Sequence, residues 1–223
     1  MSDLSNYTST PWLTKTQAPA ASPKIEGLAE ALDAAEREFL RETVTGEAER
    51  VTAVLWTAHT FVYEHFRLTP RLFVTSARPE CGKSAMLAVV ADLSANGRRM
   101  GRATEAYLGR AKAPRQPLTV ALDQLDNSLH KREGRLIDTL CAGAERGIKS
   151  GVTEKVSTQS RERYTTEELS FFYPIALRKI GGLPDAALKS RCLVTEMHPA
   201  TDAEAAKLYR ESRAGGDPAV RAT

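Results

Sequence analysis

The stretch "RLFVTSARPECGKSAMLAVVADL", residues 71–93, decides the fold. "RLFVTS" is a short β-favouring run after Pro70, and the apolar run that begins at Gly82 predicts a helix over 82–95, ended by Asn96-Gly97. Between strand and helix the loop keeps the spacing G-x-x-x-x-G-K-[ST], with Ala77 standing where the first glycine would fall. A triphosphate needs backbone N–H donors, a helix N-terminus and a cation, and a strand-loop-helix carrying Gly82, Lys83 and Ser84 offers all three. On this reading Ser76, Ala77, Arg78, Pro79, Glu80, Cys81, Gly82, Lys83, Ser84 and Ala85 surround bound ATP. Gly82 lets the backbone come close, Lys83 reaches the β- and γ-phosphates, and the Ser84 hydroxyl binds Mg²⁺. Ser76 and Ala77 are small enough for a tight turn, Pro79 stiffens the loop, and Cys81 puts an oxidisable thiol in it. The plainer reading, a chance G-K-S at a helix start, is weakened by the strand before it and the apolar helix after it.

The rest of the chain fits one substantial α/β domain. It has 223 residues, 42% hydrophobic and 26% charged, the composition of an ordinary globular protein. The net charge of +3 permits contact with nucleic acid without demanding it. Cys81, Cys141 and Cys192 are far apart and form no C-x-x-C pair, which suggests neither a metal site nor a disulfide framework and fits a reducing cytoplasm. The N-terminus lacks a basic start followed by an apolar run, and no apolar stretch approaches the roughly 18 residues that span a membrane.

Residues 1–26, rich in Ser, Thr, Pro and Ala, and 211–223 read as disordered tails, leaving 27–210 as the domain. A helical lead-in occupies 28–66, with helices over 28–44 and 46–66. Beyond the opening stretch, short strands are expected within 98–104, 117–126, 169–182 and 191–198, and helices over 105–112 and 132–147. Residues 148–170 read as a hairpin or long loop. Strands alternating with helices imply a three-layer α/β/α sandwich with a mainly parallel sheet.

"LTVALDQLD", 118–126, ends a buried strand in acids, and Asp123 suits the second Mg²⁺ contact that a P-loop enzyme needs. The interval from Lys83 to Asp123 leaves room for an additional strand between the two. That is the arrangement of ATPases that use an added catalytic glutamate, not of GTPases or small-molecule kinases. At the following position stands Gln124, which can orient a water but cannot take its proton, while Asp126 lies two residues further on. Hydrolysis is therefore expected to be slow, to use Asp126, or to be lost. In "GGLPDAALKSRCLV", 181–194, Arg191 could reach the γ-phosphate of a neighbouring subunit, although a surface arginine at a helix end is an equally good local reading. Arg178 and Lys179 are candidates for a polar γ-phosphate sensor.

Taken together, these residues resemble an uncharacterised P-loop ATPase domain family of phage, plasmid and mobile-element proteins, related to AAA+ and viral replicative helicase-type ATPases. The resemblance rests on "LWTAHTFVYEHFRLTPRLFVTS" (55–76), "CGKSAML" (81–87), "LTVALDQLD" (118–126), "LCAGAERG" (140–147) and "FYPIALRKIGGLPDAALKSR" (172–191), in that order. It implies that Lys83 and Ser84 hold the triphosphate, that Asp123 holds Mg²⁺, and that Arg191 serves the adjacent subunit. It also brings His59 and Thr60, on the helix before the loop, near the nucleotide, where a packed helix face is the plainer reading. Two positions depart from the family: Gln124 replaces a glutamate and Cys141 an asparagine.

The leading functional expectation is an oligomeric ATPase, a ring being one candidate arrangement, acting on DNA beside phage or mobile-element replication proteins. The basic stretch 146–163, with Arg146, Lys149, Lys155, Arg161 and Arg163, would face nucleic acid, unless it is simply a solvated loop. The alternative is a low-turnover nucleotide-binding scaffold or regulator whose assembly ATP sets, which Gln124 and Cys141 favour. A small-molecule kinase fits poorly.

Overall fold

The computed structural model describes residues 27–101, 103–111, 117–123, 133–158, 161–183 and 185–213. The elements follow the chain as α1 (Leu28–Glu42), α2 (Glu47–Val62), β1 (Arg71–Ser76), α3 (Lys83–Leu93), β2 (Gly97–Met100), α4 (Glu105–Ala111), β3 (Thr119–Leu122), α5 (Glu133–Ala142), β4 (Lys149–Thr158), β5 (Arg161–Ser170), β6 (Ile175–Ile180), α6 (Ala186–Lys189), β7 (Cys192–Glu196) and α7 (Asp202–Arg213). A 3₁₀ turn, Tyr63–His65, ends the lead-in. The expected tail 1–26 lies outside the described residues, and α7 carries the helical chain to Arg213.

Five strands form one parallel sheet in the order β2-β3-β6-β1-β7. Strand alternation divides its side chains between two apolar layers. Leu72, Val74, Ala121 and Ala176 pack with Phe39, Trp56, Met86 and Leu87 from α1, α2 and α3. Phe73, Val120, Leu122, Ile175 and Leu177 face the other way, onto Leu108, Leu140 and Leu188 from α4, α5 and α6. The sheet is thus covered on both faces, as parallel sheets require, and the three-layer architecture read from the sequence is the one observed.

The stretch 148–170 forms the antiparallel hairpin of β4 and β5, paired from Lys149↔Ser170 to Thr158↔Arg161. Its root is tied to the parallel sheet by Arg71, which is wholly buried at the start of β1. The Arg71 guanidinium donates to the carbonyls of Leu140 at 3.1 Å and Phe171 at 3.3 Å, and also to that of Tyr173. These carbonyls belong to the end of α5 and to the segment leaving β5, so one cation holds both roots of the hairpin against β1. Burial lowers the Arg71 pKa to about 10, which leaves it charged at neutral pH.

Helix α5 stops at Ala142 rather than continuing to 147 because the backbone beyond it pairs with the chain before β1: the Thr69 N–H donates to the Ala144 carbonyl and the Arg146 N–H to the Arg67 carbonyl, both at 2.9 Å. Between helix and pairing, a side chain at Gly143 would place its Cβ 2.4 Å from both Arg71 Nη2 and the Phe171 carbonyl oxygen, so the Arg71 contact demands glycine there. Replacing Arg71 with methionine removes the guanidinium from the buried Leu140 and Tyr173 carbonyls, while the Phe171 carbonyl keeps the Tyr173 N–H at 2.9 Å, and each unsatisfied group costs about 1–3 kcal/mol. Urea denaturation of Arg71→Met should accordingly show a loss of at least about 2 kcal/mol. A midpoint equal to that of the unmodified chain would refute the anchoring role.

Candidate functional site at the carboxyl end of the sheet

The loop after β1 turns through two left-handed residues, Glu80 at φ 59° and Gly82 at φ 75°. A side chain at Gly82 would meet the backbone penalty of that region, which only glycine escapes. Residues 77–80 are exposed, whereas Cys81 is buried, its thiol 3.4 Å from the carbonyls of Arg78 and Pro79. Helix α3 starts immediately after Gly82 and, among the described residues, no side chain caps its first amides. Those N–H groups and the helix dipole make the loop a place for an anion.

Lys83 is 3% exposed, an unusual burial for an ammonium. Its Nζ donates to the Arg78 carbonyl at 2.9 Å and to the Ser76 hydroxyl. Both partners are neutral, so the cation sits in the loop with oxygen contacts that an anionic ligand could replace. The small Ser76, noted in the sequence for the turn it permits, is also a direct ligand of the lysine.

Asp123 stands at the end of β3, two strands away from β1, with β6 between them. Its Oδ1 accepts from the Ser84 hydroxyl at 3.3 Å, which joins the first turn of α3 to the acid strand. Two guanidiniums neutralise the same carboxylate, Arg178 from β6 and Arg99 from β2. Arg178 Nε also donates to the Asp123 main-chain carbonyl at 2.7 Å. Carboxylate and hydroxyl are hard oxygen donors, and such a pair, completed by phosphate oxygens and water, suits Mg²⁺.

Of the two candidate sensors, Arg178 is the one at the site. Lys179 donates to the Ile180 carbonyl, as alternation along β6 requires. Arg99 escaped the sequence reading, although the pair Arg98-Arg99 in a predicted strand before an acid strand was a usable signal. Also missed was a cavity of about 360 Å³ beside the loop, lined by Thr43, Val44, Cys81, Gly82, His198 and Leu208 among others. Its walls come from the α1–α2 connection, the loop, and the chain beyond β7, segments that carry no motif.

Arg191 lies elsewhere. Its carbonyl accepts from the Arg71 N–H at the start of β1, while the loop begins beyond Ser76, roughly 17 Å further along the strand. The exposed guanidinium donates to the Ala187 carbonyl at 2.7 Å, so it belongs to the opposite end of the sheet from its own loop. His59 and Thr60 are likewise not near the loop, and here the resemblance misplaced them. Thr60 Oγ1 accepts from the N–H of Ala95, past the far end of α3, and His59 contacts Thr69 at 3.2 Å and packs at a tilt against the Phe66 ring, 5.1 Å between centroids. Gln124 and Asp126 fall outside the described residues. Cys141 sits at the end of α5, where burial raises its thiol pKa.

No family model matches the chain, and no curated protein matches it at a significant level. Among solved structures, it is similar to the JCV helicase in a crystal structure with a substituted phenoxyphenyl acetamide, at 11% identity and a TM-score of 0.48. The match covers 88% of this chain and 52% of the helicase chain, so this chain spans about half of that structure's length. The fold itself is a three-layer α/β/α sandwich around a five-stranded parallel sheet.

A buried ammonium held only by neutral oxygens costs stability, and here, unlike at Arg71, the carbonyl it meets is not orphaned without it: Arg78 is exposed and its carbonyl also accepts from the Ser76 hydroxyl. Lys83→Met should therefore raise the stability of the ligand-free protein, by about 1 kcal/mol in urea denaturation. A marked loss instead would make Lys83 a structural residue.

Proposed function

We propose that the chain is an ATP-binding P-loop NTPase that works as an oligomer on nucleic acid, in the replication or mobilisation of a phage or mobile element. One observation carries the reading: Lys83, Ser84, Asp123 and Arg178, from separate parts of the chain, converge at the carboxyl end of a single parallel sheet. Ligands of open α/β sheets bind at that end.

Each residue has a task on this reading. Lys83 exchanges the Arg78 carbonyl and Ser76 hydroxyl for phosphate oxygens, and the first amides of α3 point at the same phosphates. Ser84 and Asp123 would hold Mg²⁺, which would supply neutralising charge at the β- and γ-phosphates. Arg178 and Arg99 balance Asp123 beforehand and must yield at least part of it. The cavity between Val44 and His198 accepts the nucleoside. Arg191, at the wrong end of the sheet to serve its own loop, would serve that of a second copy. At the root of the hairpin Lys149 pairs with Glu168 at 3.2 Å and Arg146 lies over the Phe172 ring, and on this reading these two cations would meet phosphates. Among the described residues, no helix is long and apolar enough to cross a membrane.

A second reading, a nucleotide-set scaffold with little turnover, is favoured by Gln124 where a water-activating glutamate would be expected. Thermal unfolding with Mg²⁺ and ATP tests binding. At a hundredfold excess over Kd, ATP should stabilise the protein by about 2.7 kcal/mol, and Lys83→Ala should abolish that shift. An equal shift in the variant would sink the assignment of the loop. Phosphate release with and without DNA then separates the two readings, and Gln124→Glu should accelerate it if position 124 faces the attacking water. An unchanged rate removes Gln124 from that role.

A further inference from the structure

We propose that a groove between β2 and α4 is the path of a single-stranded polynucleotide. This rests on the nucleic-acid part of the reading above, and places the contact on β2 and α4, which adjoin the hairpin and the nucleotide site but belong to neither. The groove has a volume of about 480 Å³ and is lined by Arg98, Thr104, Ala106, Tyr107, Arg110 and Ala111.

Three independent observations support it. First, the lining is cationic. Arg98 and Arg110 line the groove and, among the described residues, no acid does, Arg110 also pairing with Glu167 of the hairpin. In sequence, residues 97–116 contain six Lys and Arg against the single acid Glu105, a net of +5 in a chain of net +3, a bias that suits a polyanion. Second, the groove offers an aromatic surface among the cations. Tyr107 is 42% exposed beside Arg98 and Arg110. A free ring face stacks on an unpaired base, whereas duplex bases are already stacked on one another, so the lining favours a single strand. Third, the groove connects to both parts of the machinery. Arg110 pairs with Glu167 of β5 at 2.8 Å, and Gly109 packs closely on Leu169, so α4 lies against the hairpin. Along β2, alternation sends Met100, and with it Arg98, to the α4 side, while the intervening Arg99 binds Asp123. The strand path and the acid of the nucleotide site are thus served by adjacent residues of one strand.

Fluorescein-labelled oligo(dT) and oligo(rU), titrated by anisotropy without nucleotide, test the groove and show whether it discriminates DNA from RNA. Tyr107→Ala should weaken binding on the order of tenfold, the loss of one stacked base. Arg98→Gln should flatten the dependence of log affinity on log salt by about 0.7, the loss of one single-strand phosphate contact. Both residues are exposed, and unchanged unfolding midpoints would show that the variants fold. Wild-type affinity and salt slope in both variants would overturn the proposal, as would equal displacement of oligo(dT) by polyglutamate. Should Lys149→Glu abolish binding while the groove variants bind normally, nucleic acid would remain the partner and the groove would be eliminated. Failure of the wild-type protein to bind either oligonucleotide would remove both. Failure to bind ATP would remove the nucleotide site alone, because the oligonucleotide titration contains no nucleotide.

Discussion

The insertion of β6 between β1 and β3 is the constraint on which the site depends. If the loop strand and the acid strand were neighbours, they would be separated by one interstrand step of about 4.8 Å and no third strand could supply a side chain between them. With β6 in place, Val74 is opposite Arg178 and Leu122 opposite Leu177, so the residue that follows Leu177 projects between loop and acid. The cation at the centre of the site is thus a product of strand order. It needs parallel pairing on both sides of β6, and this in turn needs long connections over both faces of the sheet. The helical layers are what those connections become.

Much of this was legible in the residues because its signals are local. A β run, a G-K-S turn and an apolar helix lie within one stretch of chain, and Asp123 ends a strand recognisable by its composition. The hairpin was half legible: the polar, Thr- and Tyr-containing run 148–170 left hairpin and loop open, and pairing decided it. What escaped was tertiary. Nothing near Gly143 shows that a buried arginine from β1 will pack against it, or that the chain just beyond will pair with residues 67–69. Nothing around Val44 or His198 shows that two distant connections will meet beside the loop. His59 and Thr60 precede β1 in sequence, yet α2 meets the sheet near the strand's beginning, so proximity in sequence to the loop did not become proximity in space. Trp56, donating to the Pro70 carbonyl at 2.8 Å, fixes that placement.

The site is also balanced internally. Its acid is met by two arginines and its buried lysine by neutral oxygens, so the loop holds its groups in place before a ligand arrives. Such compensation lets a loop strained at the left-handed Glu80 stay in one shape. Ligand binding then becomes an exchange of partners, with little need to build a new pocket.

The β4–β5 ribbon has a mechanical consequence. Ten residues in each strand make an arm roughly 30 Å long. A two-stranded ribbon has little stability of its own, so its direction is set at its base. That base is gripped by the Arg71 guanidinium, rooted in the strand that leads to the loop, and braced by α4 at Glu167 and Leu169. The geometry is that of a lever with its fulcrum in the core: a rotation of about 5° at the pivot would sweep the tip by about 3 Å, close to the rise of one residue along a strand. Movements too small to disturb packing at the pivot become, at the far end of the arm, displacements the size of a chemical group.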